Sequence, residues 1–229
     1  MIMPLGDDDS RLTRTPFVTF VLIGLNVAVF LLMLGQGDAI ETFVMTWSTV
    51  PAEYAQQTDL EPTHGGPFWI TAFTSMFMHG GWMHLIGNML FLWVFGDNVE
   101  EAMGHGKFLA FYLLTGLAAS AAHVMLNLGS TIPSLGASGA ISGILGGYLV
   151  MFPKQRVKVL LGRAVTHMPA LAVIGLWAAF QFISGFGQLA QTEQTGGVAY
   201  AAHVGGFVAG LALVFVFRNR ERERAIEAP

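Results

Sequence analysis

Apolar residues in this chain do not alternate with polar ones or recur as one stripe of an amphipathic helix. They gather into nearly unbroken runs at about Phe17 to Gly35, Phe77 to Phe95, Phe108 to Leu128, Ser138 to Phe152, Met168 to Leu189 and Val198 to Phe217. A run of this length with few charges reads as a helix that crosses a bilayer. Six runs predict an all-α, polytopic membrane protein built as a six-helix bundle, with both termini on one side. The organisation that follows is a tail over residues 1–16, a transmembrane unit over 17–217 with a long first loop over 36–76, and a charged tail over 218–229. The first run is too long for a signal peptide, lacks a small-residue cleavage site and follows Asp7, Asp8 and Asp9, so it reads as retained.

Composition agrees, with 53% hydrophobic and only 11% charged residues in 229. The absence of cysteine excludes thiolate catalysis, thiolate metal sites and disulfides. A formal net charge of -4 argues against a nucleic-acid surface. The placement of the charges is more informative than their sum. Arg11 and Arg14 precede the first run, Lys107 lies between the second and third, and Lys154, Arg156, Lys158 and Arg163 lie between the fourth and fifth. Arg218, Arg220, Arg222 and Arg224 follow the sixth. All eleven basic residues therefore fall on one side of the six-helix arrangement. The positive-inside pattern makes that side cytoplasmic and predicts an inner or plasma membrane protein with both termini inside. The first loop carries acids but no bases, and its Trp47, Phe68 and Trp69 suit a segment lying at the interface.

Polar side chains inside apolar runs are expensive and usually face the bundle interior. The second run contains HGGWMHLIGN, with His79, His84 and Asn88; the last two are four residues apart and share a face. The fourth carries Ser138, Ser142 and Gly146 on one stripe, with Gly139, Gly143 and Gly147 beside it. In the sixth, Ala199, His203, Gly206 and Gly210 share a face. Small residues at this spacing let backbones approach closely, so the fourth and sixth helices are expected to pack together and aim His203 at the fourth.

Ser138 lies ~15 residues from the boundary at Pro153 and Lys154, roughly 22 Å of a ~30 Å core, and His203 lies about as far from Arg218. His84 stands at nearly the same level, counted from Asp97. A short fourth helix leaves room above Ser138 for water, and its N-terminal amides suit a developing oxyanion. Ser138 as nucleophile, His203 as base, and the Ser138 amide with His84 and Asn88 as oxyanion donors make a complete acyl-transfer site.

At these residues the chain resembles the bacterial-type rhomboid family of intramembrane serine proteases. GASGA, Gly136 to Ala140, matches the family's GxSG motif; HGGWMHLIGN matches its motif in the second helix; AHVGG with Gly210 matches its motif in the sixth. Gly104, in VEEAMGHGKF, sits in the expected segment after the second helix. The resemblance implies a Ser138–His203 dyad without an aspartate, oxyanion roles for His84 and Asn88, and cleavage of transmembrane protein substrates near a helix end with small residues at the cut. It implies no cofactor and no metal. Gly136 is expected to serve the turn into the fourth helix, Gly139, Gly206 and Gly210 to serve packing, and His79 to fix a loop by a hydrogen bond. Two positions depart from the family pattern. Ser142 stands where some members stack a tyrosine on the histidine, so His203 needs support from elsewhere. Trp69, Ile70 and Thr71 stand where many members carry a Trp-Arg pair.

Two rival classes make different demands. A metal site built from His79, His84 and His203 has neither an HExxH motif nor a carboxylate within a span beside the histidines. A catalytically inactive relative that binds membrane helices for quality control would lack the serine or the histidine, and both are present. His64, His105, His123 and His167 read as interface or packing residues.

Overall fold

A computed structural model describes residues 2–62, 67–189 and 199–227. Ten helices and three strands are described. The long helices are α1 (Phe17–Leu34), α5 (Trp82–Met103), α6 (His105–Leu126), α7 (Ser138–Met151), α8 (Ala170–Leu189) and α9 (Tyr200–Phe217). They correspond one for one to the six apolar runs, so the all-α polytopic bundle stands. By length and apolarity, α1, α6, α8 and α9 are long enough to cross a membrane. The remaining two differ for visible reasons: α7 has 14 residues, and α5 runs on into Asp97, Glu100 and Glu101.

The second helix starts at Trp82 rather than Phe77, because Gly80 and Gly81 interrupt it and Gly81 is extended (φ 166°, ψ 169°). Residues before that break form a chain of short helices. Within the first loop lie α2 (Ile40–Trp47), α3 (Pro51–Gln56) and α4 (Thr71–Thr74). The loop is pinned without a Trp-Arg pair. Thr49 and Ser134 exchange backbone hydrogen bonds at 3.0 and 2.8 Å, and the Ala52 amide donates to the Ser130 carbonyl at 2.9 Å. The Thr74 hydroxyl donates to the Trp47 carbonyl at 2.6 Å, and Tyr54 Oη meets Thr71 Oγ1 at 3.0 Å. The loop is thereby tied to the segment that leads into Ser138.

At the opposite end of the bundle the sequence reading needs correction. Residues 1–16 are not simply a tail, since β1 (Ile2–Gly6) pairs antiparallel with β2 (Arg156–Leu161), which pairs with β3 (Ala164–Pro169). The fifth helix accordingly begins at Ala170 and not at Met168. Strand β2 alternates Arg156 and Lys158 outward with fully buried Val157 and Val159, the period-2 pattern of a half-buried strand. The 218–229 tail is likewise more than a solvated charge run. It forms α10 (Arg220–Glu227), which buries Ile226, pairs Glu223 with Arg218, and sets Arg222 against Gly104 at the α5–α6 corner.

Glu100 and Glu101, at the same end, anchor the start of α1. Glu100 accepts the Val18 and Thr19 amides at 2.8 Å each and the Thr19 hydroxyl at 2.7 Å. Glu101 accepts the Thr13 hydroxyl at 2.7 Å and the Arg14 amide at 3.0 Å. Glu100 thus satisfies two amides that the helix N-terminus leaves free, and its charge suits the dipole there, while Glu101 ties down the segment that leads into α1.

Candidate active site

Helix α7 lies at the centre of the bundle, packed between α6 and α9. Cβ atoms built on Gly206 and Gly210 would fall on the carbonyl oxygens of Gly139 and Gly143, and one built on Gly146 would lie 2.5 Å from the Phe207 carbonyl oxygen. The expected packing of the fourth helix on the sixth is thus observed, at backbone-to-backbone distance. Gly139 and Gly143 themselves face α6, at Ala119 and Thr115. Small residues on three helices therefore set how close α7 and α9 come.

That closeness brings Ser138, the first residue of α7, against His203, in the first turn of α9. His203 Nε2 lies 2.8 Å from Ser138 Oγ, hydrogen-bond distance for a hydroxyl donating to an imidazole. The other ring nitrogen, Nδ1, lies 2.9 Å from Gln181 Oε1 of α8. Trp177, one turn before Gln181, stacks at a tilt of 34° with its ring centroid 6.2 Å from that of His203, and Tyr200 meets the ring edge-on at 6.5 Å. The Ser142 hydroxyl is spent elsewhere, donating back to the Ser138 carbonyl at 2.6 Å. The support that the sequence left unassigned comes from Gln181 and Trp177. Gln181 could have been found in the sequence, because it is a strongly polar side chain near the middle of the fifth apolar run, the same signal that singles out His84 and His203.

Gly136 precedes the serine with φ +133°, a conformation that side chains rarely adopt. A Cβ at Gly136 would meet His84 Cε1 at 2.8 Å and Nε2 at 2.9 Å, with Ser138 Oγ 3.6 Å away. The glycine therefore admits the His84 ring beside the serine hydroxyl. The Gly136 amide donates to the Ser75 carbonyl at 2.9 Å and holds the turn. One turn beyond His84, Asn88 is 9% exposed, and its amide nitrogen is buried without a hydrogen-bond partner among the described residues. A buried, unspent donor is costly unless something accepts from it. The amides at the start of α7 likewise have no acceptor inside the helix. A cavity of ≈ 30 Å³ lined by Ser120, Ser134, Gly136, Ser138 and Gly139 adjoins the hydroxyl, enough for one water.

His79 is buried with the Phe77 backbone close to its ring, and neither ring nitrogen makes a hydrogen bond of good geometry among the described residues. Its ring packs edge-on against His84, centroids 5.1 Å apart. His79, His84 and His203 do not form a ligand cluster; among the described residues, the carboxylates of Asp7, Asp9 and Asp97 are the group whose ligand atoms converge. His105 Nδ1 meets Glu100 Oε1 at 2.5 Å, His167 lies on β3, and His123 lies on α6 near Asn127. His64 lies outside the described residues.

Comparison with known proteins places this geometry in a family. The chain is 29% identical over 223 residues to the mitochondrial Rhomboid protein 1 of Saccharomyces cerevisiae, covering 94% of this chain and 58% of that one. It is 32% identical over 195 residues to the rhomboid protease GluP of Bacillus subtilis, covering 85% and 34%. Similarity to the chloroplastic Rhomboid-like protein 11 of Arabidopsis thaliana is 31% over 154 residues, 67% and 54%. The chain thus spans between about a third and three fifths of the length of these relatives. The Rhomboid domain family matches residues 67–220, which include the second to sixth helices and every residue of the site. The chain belongs to the rhomboid family.

Proposed function

We propose that this protein is an intramembrane serine endopeptidase that cleaves transmembrane segments of membrane proteins through a Ser138–His203 dyad, without metal or cofactor. The observation that carries the reading is the 2.8 Å contact between Ser138 Oγ and His203 Nε2 at the N-terminus of α7. Ser138 Oγ attacks the scissile carbonyl and its proton passes to Nε2. Negative charge on the carbonyl oxygen is met by the amides at the start of α7, by the Asn88 amide and by His84. The tetrahedral intermediate collapses to an acyl-enzyme as the imidazolium protonates the leaving amine. Water, activated by the same imidazole, then releases the second product. The substrates are single-span or multi-span proteins whose helix end becomes locally extended at the serine, and the distribution of basic residues supports a reading with both termini in the cytoplasm of an inner or plasma membrane.

Co-expression with a panel of tagged single-span proteins tests the reading. Wild type should shorten at least one of them and Ser138→Ala none. Equal shortening by both forms would remove the serine from the chemistry.

A further inference from the structure

A dyad without an acid leaves an open question about the imidazole. In a neutral ring one nitrogen carries the proton and the other can accept, and only the tautomer with a bare Nε2 can act as base towards Ser138. Something has to select it. Gln181 is 7% exposed, and its Oε1 faces His203 Nδ1 at 2.9 Å, in line with the Nε2 contact to Ser138 on the other side of the ring. An amide oxygen only accepts, so with Oε1 turned to the ring the Nδ1 opposite it carries the proton.

We propose that Gln181 is the positioning residue of this site, holding His203 in the Nδ1–H tautomer with Nε2 free for Ser138, the task that an aspartate performs in a triad. The assignment rests on the serine-protease reading above. The choice of an amide follows from the surroundings. A carboxylate at this depth would put a full charge among Trp177, Tyr200 and the apolar faces of α8 and α9, at several kcal/mol of desolvation. A neutral amide makes the same bond without that burden. The bond also survives the reaction, since the imidazolium still donates from Nδ1 to Oε1. Because Gln181 sits on α8 while Ser138 and His203 sit on α7 and α9, the contact ties a third helix to the dyad.

The titratable groups facing His203 are Ser138 on α7, His84 on α5, His123 on α6 and Tyr200 on its own helix. Among the described residues none of these is a carboxylate, so a carboxylate introduced at position 181 should be read out cleanly. The test uses the full chain in proteoliposomes with a cleavable single-span substrate, and Ser138→Ala as the blank. Gln181→Leu, close in volume, should lose about 10- to 100-fold in kcat with KM little changed, the range typical of partners that orient a reacting ligand. Gln181→Glu should keep activity, with the acidic limb of its kcat/KM profile moved to higher pH, because an adjacent negative charge favours the imidazolium. A purely structural role predicts parallel losses of folding and activity in both variants and an unmoved profile. Nitrogen-15 spectra of labelled histidine read the tautomer without reference to turnover. Wild type should show His203 protonated at Nδ1, and Gln181→Leu should show a mixture. Full kcat in Gln181→Leu with the tautomer unchanged overturns the proposal, even where Ser138→Ala is dead. Activity in Ser138→Ala would instead overturn the protease reading, leaving the tautomer measurement to decide Gln181's role.

Discussion

Asn88 separates two kinds of contribution at the residue scale. In the proposed mechanism Ser138 supplies the bond that forms and His203 takes the proton, whereas Asn88 offers only a buried amide nitrogen with no partner among the described residues. Donors that act only on transition-state charge cost roughly 10² to 10³ in rate when removed. Asn88→Ala should therefore turn over ~10²-fold more slowly, or somewhat faster than that if the α7 amides compensate. It should still react with a serine-directed probe, while Ser138→Ala does not. Steady-state kinetics and probe labelling on one preparation check both halves. The residues proposed as nucleophile, base and oxyanion donors stood out in the sequence because each interrupts an apolar run at matched depth, and the fold brings Ser138, His203 and His84 together. Gln181 was equally visible as a polar residue, but its partner depends on how far α8 is rotated about its axis, which an apolar run does not encode.

Elements were legible where one signal dominated. Long apolar runs became helices, and the glycine stripes of α7 and α9 became their contact. What escaped notice lies at the end of the bundle where both described termini meet. There β1 joins a hairpin whose period-2 signal, RVKVLL, is short beside the runs around it, and its pairing partner is ~150 residues away in sequence. Asp7 follows β1 directly. Tyr148 Oη donates to its Oδ2 at 2.5 Å and Asn98 Nδ2 at 2.8 Å. Burial, with Asp97 and Asp9 nearby, raises its pKa from 3.8 to about 9. A carboxyl raised in the folded state favours folding fully when protonated in both states, below pH 3.8. That contribution declines as pH rises through about 9, because the unfolded chain has by then released the proton. Docking of the N-terminal strand should weaken between these limits, and Asp7→Asn should flatten the dependence. Amide hydrogen exchange of Ile2 to Gly6 against pH would show it; a pH-independent wild type with an unaltered variant would contradict the account.

At the scale of the whole molecule, one end of the bundle holds chain termini, strands and acids, and the other holds the pinned first loop and the dyad. In the proposed orientation, which follows the distribution of basic residues, the first end faces the cytoplasm. A cytoplasm-active reporter fused after Arg224 and an exterior-active one inserted within residues 191–196, which lie outside the described residues, should both give signal. Silence from either would break the six-span reading. Function rests on the site more than on the fold, since a fold alone does not fix an activity. The most direct measurement is therefore the covalent one. Wild-type protein in a bilayer, treated with a fluorophosphonate and digested, should carry the adduct on Ser138, with labelling abolished in Ser138→Ala and reduced to background in His203→Ala. An adduct on any other residue, or undiminished labelling of His203→Ala in a folded preparation, would contradict the dyad.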